Sequence, residues 1–141
     1  METSTDTSWR GQCYMNSIMF VYKYKESRFD LKPLELEIVH GIVTGQGKEN
    51  KGVSMVHSWV EDSYFCYDHD SRTNLVEQIP KLQYYTHGRI KVKNTRRYNA
   101  AQIMEMVAEH NHAGPFDEML QDVAEHEVGS VWVNPNKELE E

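Results

Sequence analysis

Two alternating segments, residues 53–61 and 64–68, stand only two residues apart, and no other feature of the chain leaves so little choice of local structure. Each mixes β-branched and aromatic residues with polar ones at a period of two, and the intervening Asp62-Ser63 is turn chemistry. The pattern predicts an antiparallel β-hairpin. A two-residue turn sets Glu61 against Tyr64. Counting back along both strands then sets Val60 against Phe65, Trp59 against Cys66 and His57 against Asp68. Directly opposed side chains have Cβ atoms about 4.5–5.5 Å apart on one face, which suits an imidazole held by a carboxylate. Val60 and Phe65 share the other face, where an apolar core can receive them.

The remaining segments place this hairpin in one α+β domain, since 141 residues suffice for a single core and divide poorly into two. Tyr14, Ile18, Val21 and Tyr22 recur at helical spacing and predict a helix over residues 13–25. Residues 36–43 read as a strand running into Gly45-Gln46-Gly47 and a polar loop through Gly52 that has no phosphate-binding pattern. Further short strands are expected at 75–79, stopped by Pro80, and at 89–92. Ala100, Ile103, Met104 and Val107 predict a second helix that ends by residues 110–114, and Met119, Leu120 and Val123 a third. Residues 1–10 are expected to be a flexible N-terminus, 11–133 the α+β domain and 134–141 a polar acidic tail.

Composition removes several classes of function. A formal net charge of -7 disfavours nucleic acid as a partner, because neutralising phosphates takes clustered Lys and Arg. The one dense basic run, Arg89 to Lys93 continuing into Arg96-Arg97, alternates with apolar residues and reads as the solvated face of a strand. No stretch approaches the roughly 20 apolar residues of a membrane span, and the first eight residues lack the basic start and apolar core of a secretory signal. The expected location is the cytoplasm. There, Cys13 and Cys66 are expected as free thiols.

A cysteine nucleophile needs a thiolate, a base to make or hold it, and a group that orients the base. Cys13 follows a glycine at the start of the first expected helix, where unpaired backbone N–H groups and the positive dipole end favour a thiolate and can hold an oxyanion. His57 and Asp68 supply the base and its holder by register. Asp70 is an alternative third member, and Asp68 has the alternative role of a turn residue. Asn16, three residues after Cys13, is nearly on its helix face, so Asn16, Gln12 and Trp59 are candidates to line the site. The commoner fate of Trp59 is core, of Glu61 a solvated strand end, and of Cys66 a structural buried thiol. Zinc is disfavoured, because no CxxC or HExxH spacing occurs and Asp68 and His69 point to opposite faces of a strand. No cofactor is expected.

These residues resemble a known superfamily. Gly11-Gln12-Cys13-Tyr14 is similar to the glycine-rich approach to the nucleophile at the head of a helix in papain-like enzymes. His57-Ser58-Trp59-Val60-Glu61 followed by Tyr67-Asp68 resembles the His-Ala-Trp-Val-Glu then Asp pattern of transglutaminase-like cysteine proteases, whose chain order is also Cys, His, Asp. The resemblance implies a helix carrying the cysteine packed on an antiparallel sheet, and amide or thioester chemistry on a protein or peptide substrate. Papain-like enzymes place an oxyanion-hole glutamine several residues before the cysteine, whereas Gln12 is its immediate neighbour, so the backbone N–H of Cys13 is the better oxyanion donor. Residues 39–47, Gln83-Tyr84-Tyr85 and Gly114-Pro115-Phe116-Asp117 resemble short phage-encoded proteins, which implies no substrate. The competing class is a non-catalytic binding or regulatory protein on the same scaffold, such as a phage-encoded inhibitor of a host protein.

Overall fold

The computed structural model describes residues 12–27, 36–45, 51–70, 73 and 75–127, so the expected N-terminal segment 1–10 and acidic tail 134–141 lie outside the described residues. The fold is α+β: among the described residues there are four α-helices and one five-stranded antiparallel sheet. In chain order the elements are α1 (Gln12–Ser27), β1 (Glu37–Thr44), β2 (Ser54–Glu61), β3 (Phe65–Asp70), β4 (Leu75–Pro80), α2 (Lys81–His87), β5 (Arg96–Tyr98), α3 (Ala100–His110) and α4 (Glu118–Glu125). The first four strands form a meander, and β5 returns to the far edge, giving the order β4-β3-β2-β1-β5. No helix among the described residues is long and apolar enough to cross a membrane.

Strand alternation divides the core in two. Ile38 opposes Val60 and Tyr98, and this row packs with Tyr67 against Ile18 and Val21 of α1 and Ile103 of α3. Tyr14 at the head of α1 packs with Val56 against Leu120 and Ala124 of α4. Burying each large side chain contributes about 1.5–3 kcal/mol, and that places α1. On the opposite face Val39, Trp59 and Cys66 pack with Ile90 and with Tyr84 and Tyr85 of α2. Gly41 belongs to this second layer. A Cβ there would meet Trp59 Cη2 at 2.9 Å, so the missing side chain is what lets the indole approach β1 this closely.

Helix starts follow local chemistry. Asn99 accepts from Gln102 N–H at 2.8 Å while the Gln102 side chain accepts from Asn99 N–H at 2.9 Å, a reciprocal cap that starts α3. Asp117 accepts from the N–H groups of Met119 and Leu120 and starts α4.

Two expectations need correction. The strand expected at residues 89–92 is instead a turn at Arg89, with φ +53°, followed by a short 3₁₀ helix over Val92–Asn94. Alternation makes a strand only where an edge is free to pair, and the free edge of β1 is taken by Arg96–Tyr98. Lys91 and Lys93 are exposed, but Arg96 and Arg97 are ion-paired, so the basic run is not one solvated strand face. The hairpin register also differs by two residues. Asp62 Oδ1 accepts from the N–H groups of Tyr64 and Phe65 at 2.8 and 2.7 Å, placing Ser63 and Tyr64 at the tip, so Glu61 opposes Cys66 and Val60 opposes Tyr67. An even shift preserves every face.

Candidate active site

With this register Asp68 stands one diagonal step from His57 rather than directly opposite. Diagonal neighbours lie within reach of long side chains, and His57 Nε2 meets Asp68 Oδ1 at 2.8 Å. β2 and β3 pair only at Val60↔Tyr67 and Glu61↔Cys66, whereas β1 and β2 pair at eight positions. Beyond those two pairs side chains take over. The His57–Asp68 contact spans the strands, and Val56 N–H donates to Glu127 Oε2 at 2.9 Å.

Cys13 is the second residue of α1, and its sulfur lies near enough to the His57 side chain to raise that ring's pKa. The Ser58 hydroxyl donates to that of Ser17, one turn further along α1, at 2.8 Å, fixing the helix against β2. With Nε2 engaged by Asp68, Nδ1 is the ring nitrogen left for the thiol. His57 therefore stands between Asp68, which it meets at 2.8 Å, and the head of α1, where Cys13 sits. His57 and Asp68 side chains are 26% and 24% exposed.

Electrostatics favour a charged pair. Burial lowers the His57 pKa, but the Asp68 carboxylate, its hydrogen bond and the Cys13 sulfur more than offset this and hold it well above the ordinary histidine value. Burial raises the Asp68 pKa, and His57 together with the Tyr84 hydroxyl brings it below the ordinary aspartate value.

The other candidates take varied positions. Gln12 is exposed at the first position of α1 and Asn16 is half-buried one turn on. Trp59 is a core residue 1% exposed, its ring centroid 6.0 Å from that of His57 and its Nε1 donating to Glu61 Oε2 at 2.7 Å. Asp70 pairs with Leu75 at the far end of β3. Cys66 is buried against Glu61, and burial with that carboxylate pushes its thiol far up. Among the described residues no group of three or more His, Cys, Asp or Glu is placed to hold a metal ion.

Glu61 is not the solvated strand end that its position suggests. It is 1% exposed and collects Arg97 Nη1 at 2.8 Å, Lys81 Nζ at 3.1 Å, the Trp59 indole N–H and the Tyr85 hydroxyl. Next to Tyr85, the Tyr84 hydroxyl donates to Asp68 Oδ2 at 2.8 Å. Neither tyrosine is marked by hydrophobic periodicity, because α2 has only seven residues and none is fully buried. The cue available was the side chain: two adjacent phenols, each with an apolar body and a donor tip that seeks a partner when covered.

No protein-family model, curated protein or solved structure matches the chain.

Proposed function

We propose that this protein is a cysteine-dependent hydrolase or acyltransferase, of the papain-like or transglutaminase-like kind, acting on an amide or thioester bond. One observation carries the reading: His57 is hydrogen-bonded to Asp68 at 2.8 Å and lies beside Cys13 at the head of a helix. The third member completes the set of roles that nucleophilic catalysis requires.

In the reaction the Cys13 proton passes to His57, and Asp68 holds the ring so that Nε2 carries a proton and Nδ1 receives the other. The thiolate attacks the carbonyl carbon, and the oxyanion forms beside the first backbone N–H groups of α1, that of Cys13 among them. Collapse expels the amine or thiol, which takes its proton from His57, and leaves a thioester on Cys13. Water then attacks to release an acid and complete hydrolysis. An amine attacking instead gives a new amide and completes transfer.

The test is the pH dependence of Cys13 alkylation by iodoacetamide, read by mass spectrometry in the parent and in His57→Ala. Fast labelling near pH 6 that His57→Ala abolishes is the expected result. Labelling that rises only near the free-thiol range of about pH 8.5 and ignores His57→Ala would overturn the reading in favour of a binding protein on this scaffold.

A further inference from the structure

We infer that Tyr84 is a fourth member of the site, a positioning residue that locks the Asp68 carboxylate in the rotation His57 requires. The inference rests on the reading of Cys13, His57 and Asp68 as a reactive unit. Asp68 is held at both oxygens: Oδ1 meets His57 Nε2 at 2.8 Å, and Oδ2 accepts the Tyr84 hydroxyl at 2.8 Å. A carboxylate is planar, so one hydrogen bond leaves it free to swing about Cβ–Cγ, whereas bonds at opposite oxygens fix its plane. The second bond also stabilises the charged form that keeps a proton on Nε2.

Tyr84 is itself held. Its ring centroid lies 5.3 Å from that of Trp59, whose indole is fastened to Glu61 at 2.7 Å. Lys81 and Tyr85, also on α2, reach the same Glu61. Burial and the neighbouring Asp68 push the Tyr84 phenol well above its ordinary pKa, so it stays a donor wherever the site can operate. Tyr85 offers a control within the same helix. It too donates a hydroxyl to a buried carboxylate, but Glu61 has no hydrogen bond to His57.

The experiment compares Tyr84→Phe with Tyr85→Phe in the full chain, following Asp68 by carbon-detected NMR titration of its carboxyl and Cys13 by alkylation rate at pH 6. Tyr84→Phe is expected to raise the Asp68 midpoint by about one pH unit and slow alkylation roughly tenfold. Tyr85→Phe is expected to leave the Asp68 midpoint in place, even where it lowers the melting temperature. An unmoved midpoint in Tyr84→Phe, or equal shifts in both variants, would overturn the inference. Should Tyr84→Phe not fold, the parent still decides: the Tyr84 hydroxyl proton is expected downfield and slow to exchange, moving as Asp68 titrates, and a resonance indifferent to that titration overturns the assignment. Alkylation that ignores His57→Ala would remove the reactive unit and with it this role for Tyr84. A His57-dependent parent with an unresponsive Tyr84→Phe would sink the inference alone.

Discussion

A Cβ atom on Gly114 would stand 2.6 Å from His40 Cε1, on backbone with φ +135°, so the glycine and the imidazole occupy one tightly closed volume. Tyr14, Tyr98 and Phe116 complete the enclosure, with ring centroids 5.0, 5.2 and 5.8 Å from that of His40. Neither ring nitrogen of His40 has a hydrogen-bond partner among the described residues, and the side chain is wholly buried. Such a site tolerates only the neutral ring.

Acid should therefore unfold this protein partly through His40. Burial first, then His57 and His112, push its pKa down to about 3. A folded pKa below the unfolded value of about 6.5 means that the neutral ring's contribution is complete above pH 6.5 and drains away as pH falls toward 3. Chemical denaturation of the parent and His40→Leu between pH 7 and pH 4 is the measurement. The parent is expected to lose stability relative to the variant by about 1 kcal/mol or more per unit over the lower part of that range. Parallel curves would refute it, whatever their offset.

Glu61 predicts a different sensitivity. Burial raises its pKa, but hydrogen bonds from Tyr85, Trp59 and Arg97 more than offset this and hold it below the ordinary glutamate value. Arg97→Met leaves that carboxylate with Lys81 as its remaining cation and should cost about 3 kcal/mol, because a half-paired buried charge is worse than none. Arg97→Met combined with Glu61→Gln should recover part of the loss. Urea midpoints of the single and double variants check this, and a double variant no better than the single would refute it.

The His57–Asp68 pair carries its own pH signature. The raised His57 pKa makes its contribution complete below about pH 6.5 and lost as pH rises through the folded value. The lowered Asp68 pKa makes its contribution complete above about pH 3.9 and lost in stronger acid. Asp68→Asn should therefore cost most between about pH 4 and 6.5, on the order of 1 kcal/mol for a pair this open to water, and less at pH 9. Thermal melts across that range test the prediction, and a penalty that grows toward pH 9 would contradict it.

Much of this could be read from periodicity, and the rest could not for identifiable reasons. The buried row of Tyr14, Ile18 and Val21 announced α1, and alternation placed His57, Trp59, Cys66 and Asp68 on one face. The register itself escaped, because it depends on Asp62 folding its carboxylate over two backbone amides, which moves the tip of the turn from Asp62-Ser63 to Ser63-Tyr64. The run at 89–92 had strand alternation without an edge to join, and only tertiary pairing reveals that β1 bonds Arg96–Tyr98. Glu61 looked solvated because its cations come from residues 20 and 36 positions away, Lys81 and Arg97. Long-range charge pairing leaves no local pattern.

The two ladder pairs between β2 and β3 run as a seam through the candidate site. Cys13 and His57 lie on one side of it; Asp68 and Tyr84 belong to the other, with β3, β4 and α2. The short ladder, the Glu61 cluster, the His57–Asp68 contact and the packing of Tyr67 against α1 and of Tyr84 against Trp59 bridge the seam. A sub-global opening there would separate Cys13 and His57 from Asp68 and Tyr84 while each side kept its own secondary structure. Backbone amide exchange would report such an opening as a cooperative unit spanning β3, β4 and α2.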